Sequence, residues 1–372
     1  MPQIHVMIKP ASGLCNMRCK YCFYADEMAK RKQASYGMMS IDTLEHVIRE
    51  IFRFADTQCT IAFQGGEPTL IGLDFYRQCI QLEKKYNTKN IKVFHALQTN
   101  GYALDEPWYS FFAENDFLIG LSVDGIKATH DAYRKDIDGH DTYFHIVEKA
   151  DGLKQAGVDF NILTVVNGKT APKIQKIYEK YKKLGFVWQQ YIACLDPIHE
   201  KQGQQEYSLT PQLYGRFLID LFKLWDLDLR QGNQPYIRQF ENYIGILMGH
   251  LPESCEQRGV CSFQNIVEAD GSVYPCDFYV LDEYCLGNLR TDSFEVIEQR
   301  RKESRFIENS MNHIEKCRSC PYFIMCRGGC RRHREQWGIE LGGNYFCESY
   351  KMFFDACLPR MKKIAASLQR GQ

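Results

Sequence analysis

Three cysteines fall within eight residues, Cys15-Asn-Met-Arg-Cys19-Lys-Tyr-Cys22. The spacing C-x3-C-x2-C puts three thiolates on one tight loop, enough for three irons of a [4Fe–4S] cube. Full protein ligation takes four, so the fourth iron would be open to a ligand that is not protein. A zinc site short of one ligand is the other metal reading, and three thiols so close together are poorly explained as packing. Eight more cysteines lie near the C-terminus: Cys255, Cys261, Cys276, Cys317, Cys320, Cys326, Cys330 and Cys347. Their spacing is C-x5-C-x14-C, then C-x2-C-x5-C-x3-C, then x16-C. Eight thiolates make two closed four-thiolate sites, for zinc or for iron–sulfur clusters, and spacing alone does not choose. The other five, Cys59, Cys79, Cys194, Cys285 and Cys357, read as small buried hydrophobes.

These thiols need a scaffold. The chain has 372 residues, 45% hydrophobic, with 46 Lys+Arg against 46 Asp+Glu. That supplies a sizeable core. Zero net charge argues against a dedicated nucleic-acid binder while leaving a local basic patch open. No apolar run is long enough to span a bilayer, and the N-terminus shows no secretory pattern of a charged region before an apolar one. No membrane and no nucleic acid are therefore expected as partners. In a cytoplasmic chain, clustered cysteines bind metal more often than they pair. Six strand-like runs, rich in Ile, Val, Phe and Leu, occupy residues 3–9, 58–63, 91–98, 117–123, 159–166 and 186–193. Helical patterns lie between them: one after Ser40, a plausible N-cap, and others over 74–86, 105–114, 142–156 and 171–184. Sixfold strand–helix alternation predicts an α/β fold of parallel strands with right-handed crossovers, as an open sheet or a barrel. After about residue 195 the pattern changes. A helix is predicted over 211–230, and a cysteine-rich region begins at Cys255. The domain boundary falls near 235–250 and is drawn as 1–235 and 236–372.

Several polar motifs sit at the predicted strand ends. Gln64-Gly65-Gly66-Glu67-Pro68 follows the second strand, Gln98-Thr99-Asn100-Gly101 the third, and Ser122-Val123-Asp124-Gly125 the fourth. Two glycines let backbone approach a ligand closely. Read without context, such residues are equally turns and caps.

The cysteine loop, with an aromatic residue before its last Cys, resembles the radical S-adenosylmethionine (SAM) superfamily. The resemblance implies a partial (β/α)6 TIM-like barrel. It also implies that the open iron is chelated by the amino and carboxylate groups of SAM, which the reduced cluster cleaves to a 5′-deoxyadenosyl radical. By the same resemblance Gly66 belongs to the GGEP motif that receives the methionyl amino group. Ser122 and Arg134 would meet its carboxylate, a partner that suits the planar guanidinium fork. Tyr21 and Leu195 would flank the adenosyl moiety, and Gln98 is a further cofactor-facing candidate. The distal cysteines resemble the SPASM domain with two auxiliary [4Fe–4S] clusters, three clusters in all. That implies Cys255, Cys261, Cys276 and Cys330 for one auxiliary cluster, and Cys317, Cys320, Cys326 and Cys347 for the other.

Within this group the chain is most similar to the anaerobic sulfatase-maturating enzymes. The marks are Ile8-Lys9-Pro10, Cys22-Phe23-Tyr24, Phe63-Gln64-Gly-Gly-Glu-Pro-Thr-Leu70, Asp270-Gly-Ser-Val-Tyr-Pro-Cys276-Asp277 and Cys326-Arg-Gly-Gly-Cys330. The resemblance implies oxidation of a sulfatase Cys, or Ser, to Cα-formylglycine. Hydrogen is abstracted from Cβ, Asp277 removes the thiol or hydroxyl proton, and an electron leaves, most simply to an auxiliary cluster. Tyr24 and Gln64 would face substrate. The implied partners are an unfolded sulfatase segment carrying a C/S-x-P/A-x-R-like motif and a flavodoxin- or ferredoxin-type electron donor. Two rival readings stand beside this one: a SPASM enzyme that crosslinks or epimerises a ribosomal peptide, and a zinc-binding interaction protein on a barrel scaffold. With the first cluster cysteine at 15 and 25 residues after Cys347, a leader-recognition domain is not expected, which disfavours the first rival.

Overall fold

The computed structural model describes residues 4–335 and 343–370. Strands β1 (Ile4–Ile8), β2 (Gln58–Phe63), β3 (Lys92–Thr99), β4 (Phe117–Ser122), β5 (Phe160–Val166) and β6 (Trp188–Ala193) match the six predicted runs to within two residues; residue 3 of the first run lies outside the described residues. Between and around them lie helices α1 (Phe23–Lys30), α2 (Ile41–Phe54), α3 (Leu73–Tyr86), α4 (Glu106–Glu114), α5 (Lys127–Tyr133), α6 (Tyr143–Gln155) and α7 (Ile174–Leu184), then α8 (Pro211–Arg230). Strand β7 (Tyr236–Ile237) and helix α9 (Arg238–Leu247) come next, followed by short strands β8 (Asn265–Val267), β9 (Ser272–Tyr274) and β10 (Gly287–Asn288). A helix over Cys347–Arg370 ends the described chain.

Local chemistry explains most boundaries. Ser40 caps α2 by accepting the Thr43 N–H at 3.1 Å, and Leu44, Val47, Ile48, Ile51 and Phe52 bury one helical face. Thr210 caps α8 in the same way, with Pro211 in the first turn, where its missing N–H costs nothing. Two helices carry no such signature. Helix α1 starts from Cys22, whose side chain makes no cap. The short α5 buries Thr129, His130 and Asp131 beside Tyr133, so no apolar stripe marks it.

By contacts the chain divides into two compact units that interleave in sequence. Unit 1 comprises Met1–Ser122, Arg134–Phe160 and Phe263–Phe306. Its strands run in the order β10-β9-β8-β1-β2-β3-β4. Pairs β1–β2, β2–β3 and β3–β4 are parallel. Strand β8 joins the free edge of β1, also parallel, with Val6 opposite Asn265 and Ile8 opposite Val267. Strands β8, β9 and β10 then form an antiparallel meander. Unit 2 comprises Val123–Tyr133, Asn161–Ser262 and Ile307–Gln372. Within it β5, β6 and β7 pair in parallel, and α8 packs on the helix Cys347–Arg370. Residues 236–247, where the domain boundary was expected, form β7 and α9 inside unit 2. Compactness therefore cuts the chain differently from a linear division at 235/236, which stays a proposal about family domains.

Candidate active site

The loop bearing Cys15, Cys19 and Cys22 follows β1, and the motif after β2 closes on it. Glu67 N–H donates to the Leu14 carbonyl at 2.8 Å, and Gln64 N–H to that of Ile8 at 3.0 Å. Gly66 adopts φ +48°, and a Cβ there would come within 2.1 Å of the Leu14 oxygen. The cysteine loop and the glycine motif thus touch backbone to backbone, which only glycine permits. The Glu67 carboxylate is buried and takes no part in the open site. It accepts the Thr69 N–H at 3.1 Å, the Thr69 and Thr99 hydroxyls, each at 2.7 Å, and the Asn100 N–H at 2.7 Å. Asn100 in turn donates to Asn16 Oδ1 at 2.8 Å inside the cysteine loop, a role that the strand-end reading missed.

The expected SAM-contacting residues of unit 1 gather near this loop. Gln98 Nε2 donates to Ser122 Oγ at 3.0 Å, across the ends of neighbouring strands. Arg134 Nη1 donates to Tyr21 Oη at 3.1 Å. Leu195 belongs to unit 2, where it is half-buried just past β6.

Asp277 follows Cys276 at the turn after β9, and four side chains are arranged around it. Tyr24 Oη donates to Oδ1, Lys9 Nζ pairs with Oδ1 at 2.9 Å, and Gln64 Nε2 donates to Oδ2 at 2.9 Å. The side chain of Asp277 is 11% exposed and that of Lys9 is fully buried. The ammonium lies 3.4 Å from the centroid of the Tyr24 ring. Burial and the neighbouring carboxylates push the Tyr24 phenol well above its ordinary range, so it stays a donor. Glu27 is buried close by. The Lys9 ammonium and the Val280 N–H favour its carboxylate form, but burial outweighs them and pushes its acid up to about 8. Tyr24, Gln64 and Asp277, singled out separately in the sequence, meet here. Lys9 stood in the sequence only within the Ile8-Lys9-Pro10 mark, with no role given to it, and Glu27 was not singled out, because it sits in a helix without a pattern.

The cysteines test the metal readings. None of the sixteen is in a disulfide. In unit 2, Cys317, Cys320, Cys326 and Cys347 line one cavity of about 270 Å³. Cys330 has Cys255 and Cys261 as its thiol neighbours, while Cys276 belongs to unit 1. Burial pushes Cys15 up to about 11 and Cys326 to about 12, so thiolates at these positions need a compensating positive centre. Among the described residues no three of these thiols lie within 4.8 Å of one another; the group that meets this spacing is Asp136, Asp138 and His140. Zinc–sulfur bonds of about 2.3 Å bring tetrahedral ligands closer together than that. The spacing is wider than a single zinc ion imposes on its four ligands. Of the remaining cysteines, Cys59, Cys79, Cys194 and Cys357 are buried as expected, whereas Cys285 is exposed, because it follows a one-turn 3-10 helix with no buried residue.

Residues 10–181 match the Radical SAM superfamily, and residues 255–321 match the iron-sulfur cluster-binding domain SPASM. The cysteine-type anaerobic sulfatase-maturating enzyme of Clostridium novyi (strain NT) is 45% identical over 373 residues, covering 100% of both chains. Its counterpart from Clostridium perfringens (strain 13 / Type A) is 43% identical, over 99% of this chain and 100% of that one. The solved structure of native anSMEcpe with bound AdoMet and the Cp18Cys peptide aligns with a TM-score of 0.93 at 42% identity, covering 99% of this chain and 100% of that one.

Proposed function

The chain belongs to the radical SAM superfamily and, within it, to the anaerobic sulfatase-maturating enzymes, and on that premise we propose a cysteine target with Asp277 as the base. It is an oxidoreductase that makes Cα-formylglycine in a sulfatase, built as a radical SAM domain with a SPASM domain. When bound, SAM and the [4Fe–4S] clusters supply the radical that takes hydrogen from Cβ and the acceptor that takes one electron. Cys15, Cys19 and Cys22 hold the SAM-binding cluster, and the eight distal cysteines hold the two auxiliary ones. Gly66, Gln98, Ser122 and Arg134 orient the methionyl group, with Tyr21 and Leu195 beside the adenosyl moiety. Relatives named as cysteine-type favour a Cys target.

The residues around Asp277 carry the proton chemistry. Cβ of the target loses a hydrogen atom, its sulfur loses a proton to Asp277, and one electron departs. The carbon–sulfur bond becomes double, and water then converts the thioaldehyde to formylglycine with release of hydrogen sulfide. Gln64 and Tyr24 hold the carboxylate at the substrate. The observation that carries this reading is the convergence of Tyr24, Gln64 and Lys9 on the two oxygens of one slightly exposed carboxylate. The finer partners are an unfolded segment with a C-x-P/A-x-R-like motif and a flavodoxin- or ferredoxin-type reductant, in the cytoplasm. Among the described residues no helix is long and apolar enough to cross a membrane. The test is Asp277→Asn, purified without air with its clusters intact and given a sulfatase-derived Cys peptide. Formylglycine at the wild-type rate would remove the base assignment.

A further inference from the structure

We propose that Lys9 is a positioning residue: with Tyr24 it occupies Oδ1 of Asp277, so that Oδ2 alone receives the substrate proton. The proposal rests on the reading of Asp277 as the base. A carboxylate has about four lone-pair sites, two on each oxygen. Oδ1 accepts from the Tyr24 hydroxyl and is ion-paired with the Lys9 ammonium at 2.9 Å, a contact without hydrogen-bond alignment that keeps a second donor off that oxygen. Among the described residues Oδ2 is engaged by Gln64 Nε2 alone, which leaves one acceptor direction on that oxygen. The S–H bond then breaks with its electron pair left on sulfur and its proton on Oδ2.

A fully buried ammonium is costly unless it is paired; Lys9 is ion-paired with Asp277 and has the buried Glu27 carboxyl as a second acidic neighbour. Its backbone N–H donates to Val267 O at 2.8 Å, pinning it between β1 and β8. Gly65, at φ +99°, lies on its aliphatic stem, and a Cβ there would come within 2.7 Å of Lys9 Cγ. The Tyr24 ring closes over the charge at 3.4 Å, a favourable face for a desolvated cation. Stem, backbone and head are each fixed, so the ammonium cannot swing to solvent, and the carboxylate oxygen that it meets is set by the sheet. An apolar side chain would fill the same space with no desolvation cost. The charge therefore points to a task at Asp277.

The test uses the cluster-loaded enzyme and a synthetic sulfatase-derived Cys peptide. Formylglycine and 5′-deoxyadenosine are counted in the same reactions. Lys9→Met keeps the volume and removes the charge. We expect kcat for formylglycine to fall about 10- to 100-fold, as for a misplaced reacting group, with KM for the peptide unchanged. The deoxyadenosine formed per formylglycine should rise, since hydrogen abstraction continues while proton removal falters. Merely structural damage lowers both products together, and that result would overturn the proposal. In an Asp277→Asn background, Lys9→Met should add no further loss; a multiplied loss means that Lys9 acts elsewhere. Tyr24→Phe keeps the ring under the ammonium and removes the hydroxyl donor to Oδ1. It should raise the same ratio, and it decides the matter if Lys9→Met does not fold. Wild-type kcat in Lys9→Met, or in Tyr24→Phe if that variant must decide, overturns the proposal alone. Wild-type kcat in Asp277→Asn removes the base reading beneath it.

Discussion

Two carboxylates of unit 1, at the ends of β2 and β9, stand in opposite surroundings. Glu67 accepts three hydrogen bonds on one oxygen and one on the other, all from neutral groups of the fold. It is a fastener between the strand-end motifs. Asp277 has one hydrogen-bond donor on each oxygen and an ion-paired ammonium 2.9 Å from one of them, and it keeps some exposure. The carboxylate with four donors from the fold is sealed in and meets no substrate. The partly engaged one has a free direction and a fixed orientation. Acid type alone does not separate the two; the number of donors, the neighbouring cation and the remaining exposure do.

That contrast can be broken experimentally. Asp277→Asn should cost about 10²- to 10⁴-fold in the rate of formylglycine formation, the range for a lost general base; a loss under tenfold would place Asp277 with Glu67 as structure. Gly66→Ala forces a Cβ against the Leu14 carbonyl, beside the cysteine loop. SAM binding to the reconstituted enzyme should weaken by about tenfold or more, given strain of about 1–3 kcal/mol, and an unchanged dissociation constant would refute the close approach. Glu67→Gln sets an amide N–H₂ against fixed N–H donors. Stability should fall by about 1–3 kcal/mol, read as a lower Tm, and an unchanged Tm would mean that Glu67 is no fastener.

Glu27 sharpens the comparison as a third case, buried with neither a full set of donors nor exposure. Its acid is pushed up to about 8 from an ordinary value of 4.5, mainly by burial. The folded chain therefore keeps a proton that the unfolded chain releases. The associated stability is complete below pH 4.5 and is lost as pH rises towards 8. Relative to Glu27→Gln, the wild-type chain should lose about 5 kcal/mol across that window. Tm measured against pH for both proteins, under argon, checks it; parallel curves would show Glu27 ionised throughout.

Much of this was legible in the sequence. The six strands were readable because each is a continuous apolar run, and α2 and α8 because Ser40 and Thr210-Pro211 announce them. The motifs at the ends of β2, β3 and β4 were legible as a set because a parallel sheet sends its strand ends to one side. Pairings between residues far apart were not. That β8 joins β1 is invisible to local periodicity, so neither the interleaved units nor the burial of Lys9 could be foreseen. Glu27 shows no signal in an eight-residue helix of mixed polarity, and the backbone N–H of Asn100 counts only once Glu67 is seen beneath it.

The parallel pairing of β1 with β8 also orders events during synthesis. Ile8 must wait for Val267, a gap that takes about 13–50 s to translate at 5–20 residues per second. Throughout that interval one side of the first strand has no ladder, a bare margin that invites the wrong neighbour. Tyr24 and Asp277 are likewise apart until the second of them leaves the ribosome. The cysteine loop is made early and Asp277 much later, so a truncated chain that ends before residue 277 would carry the three thiols of the proposed radical site without the proposed base.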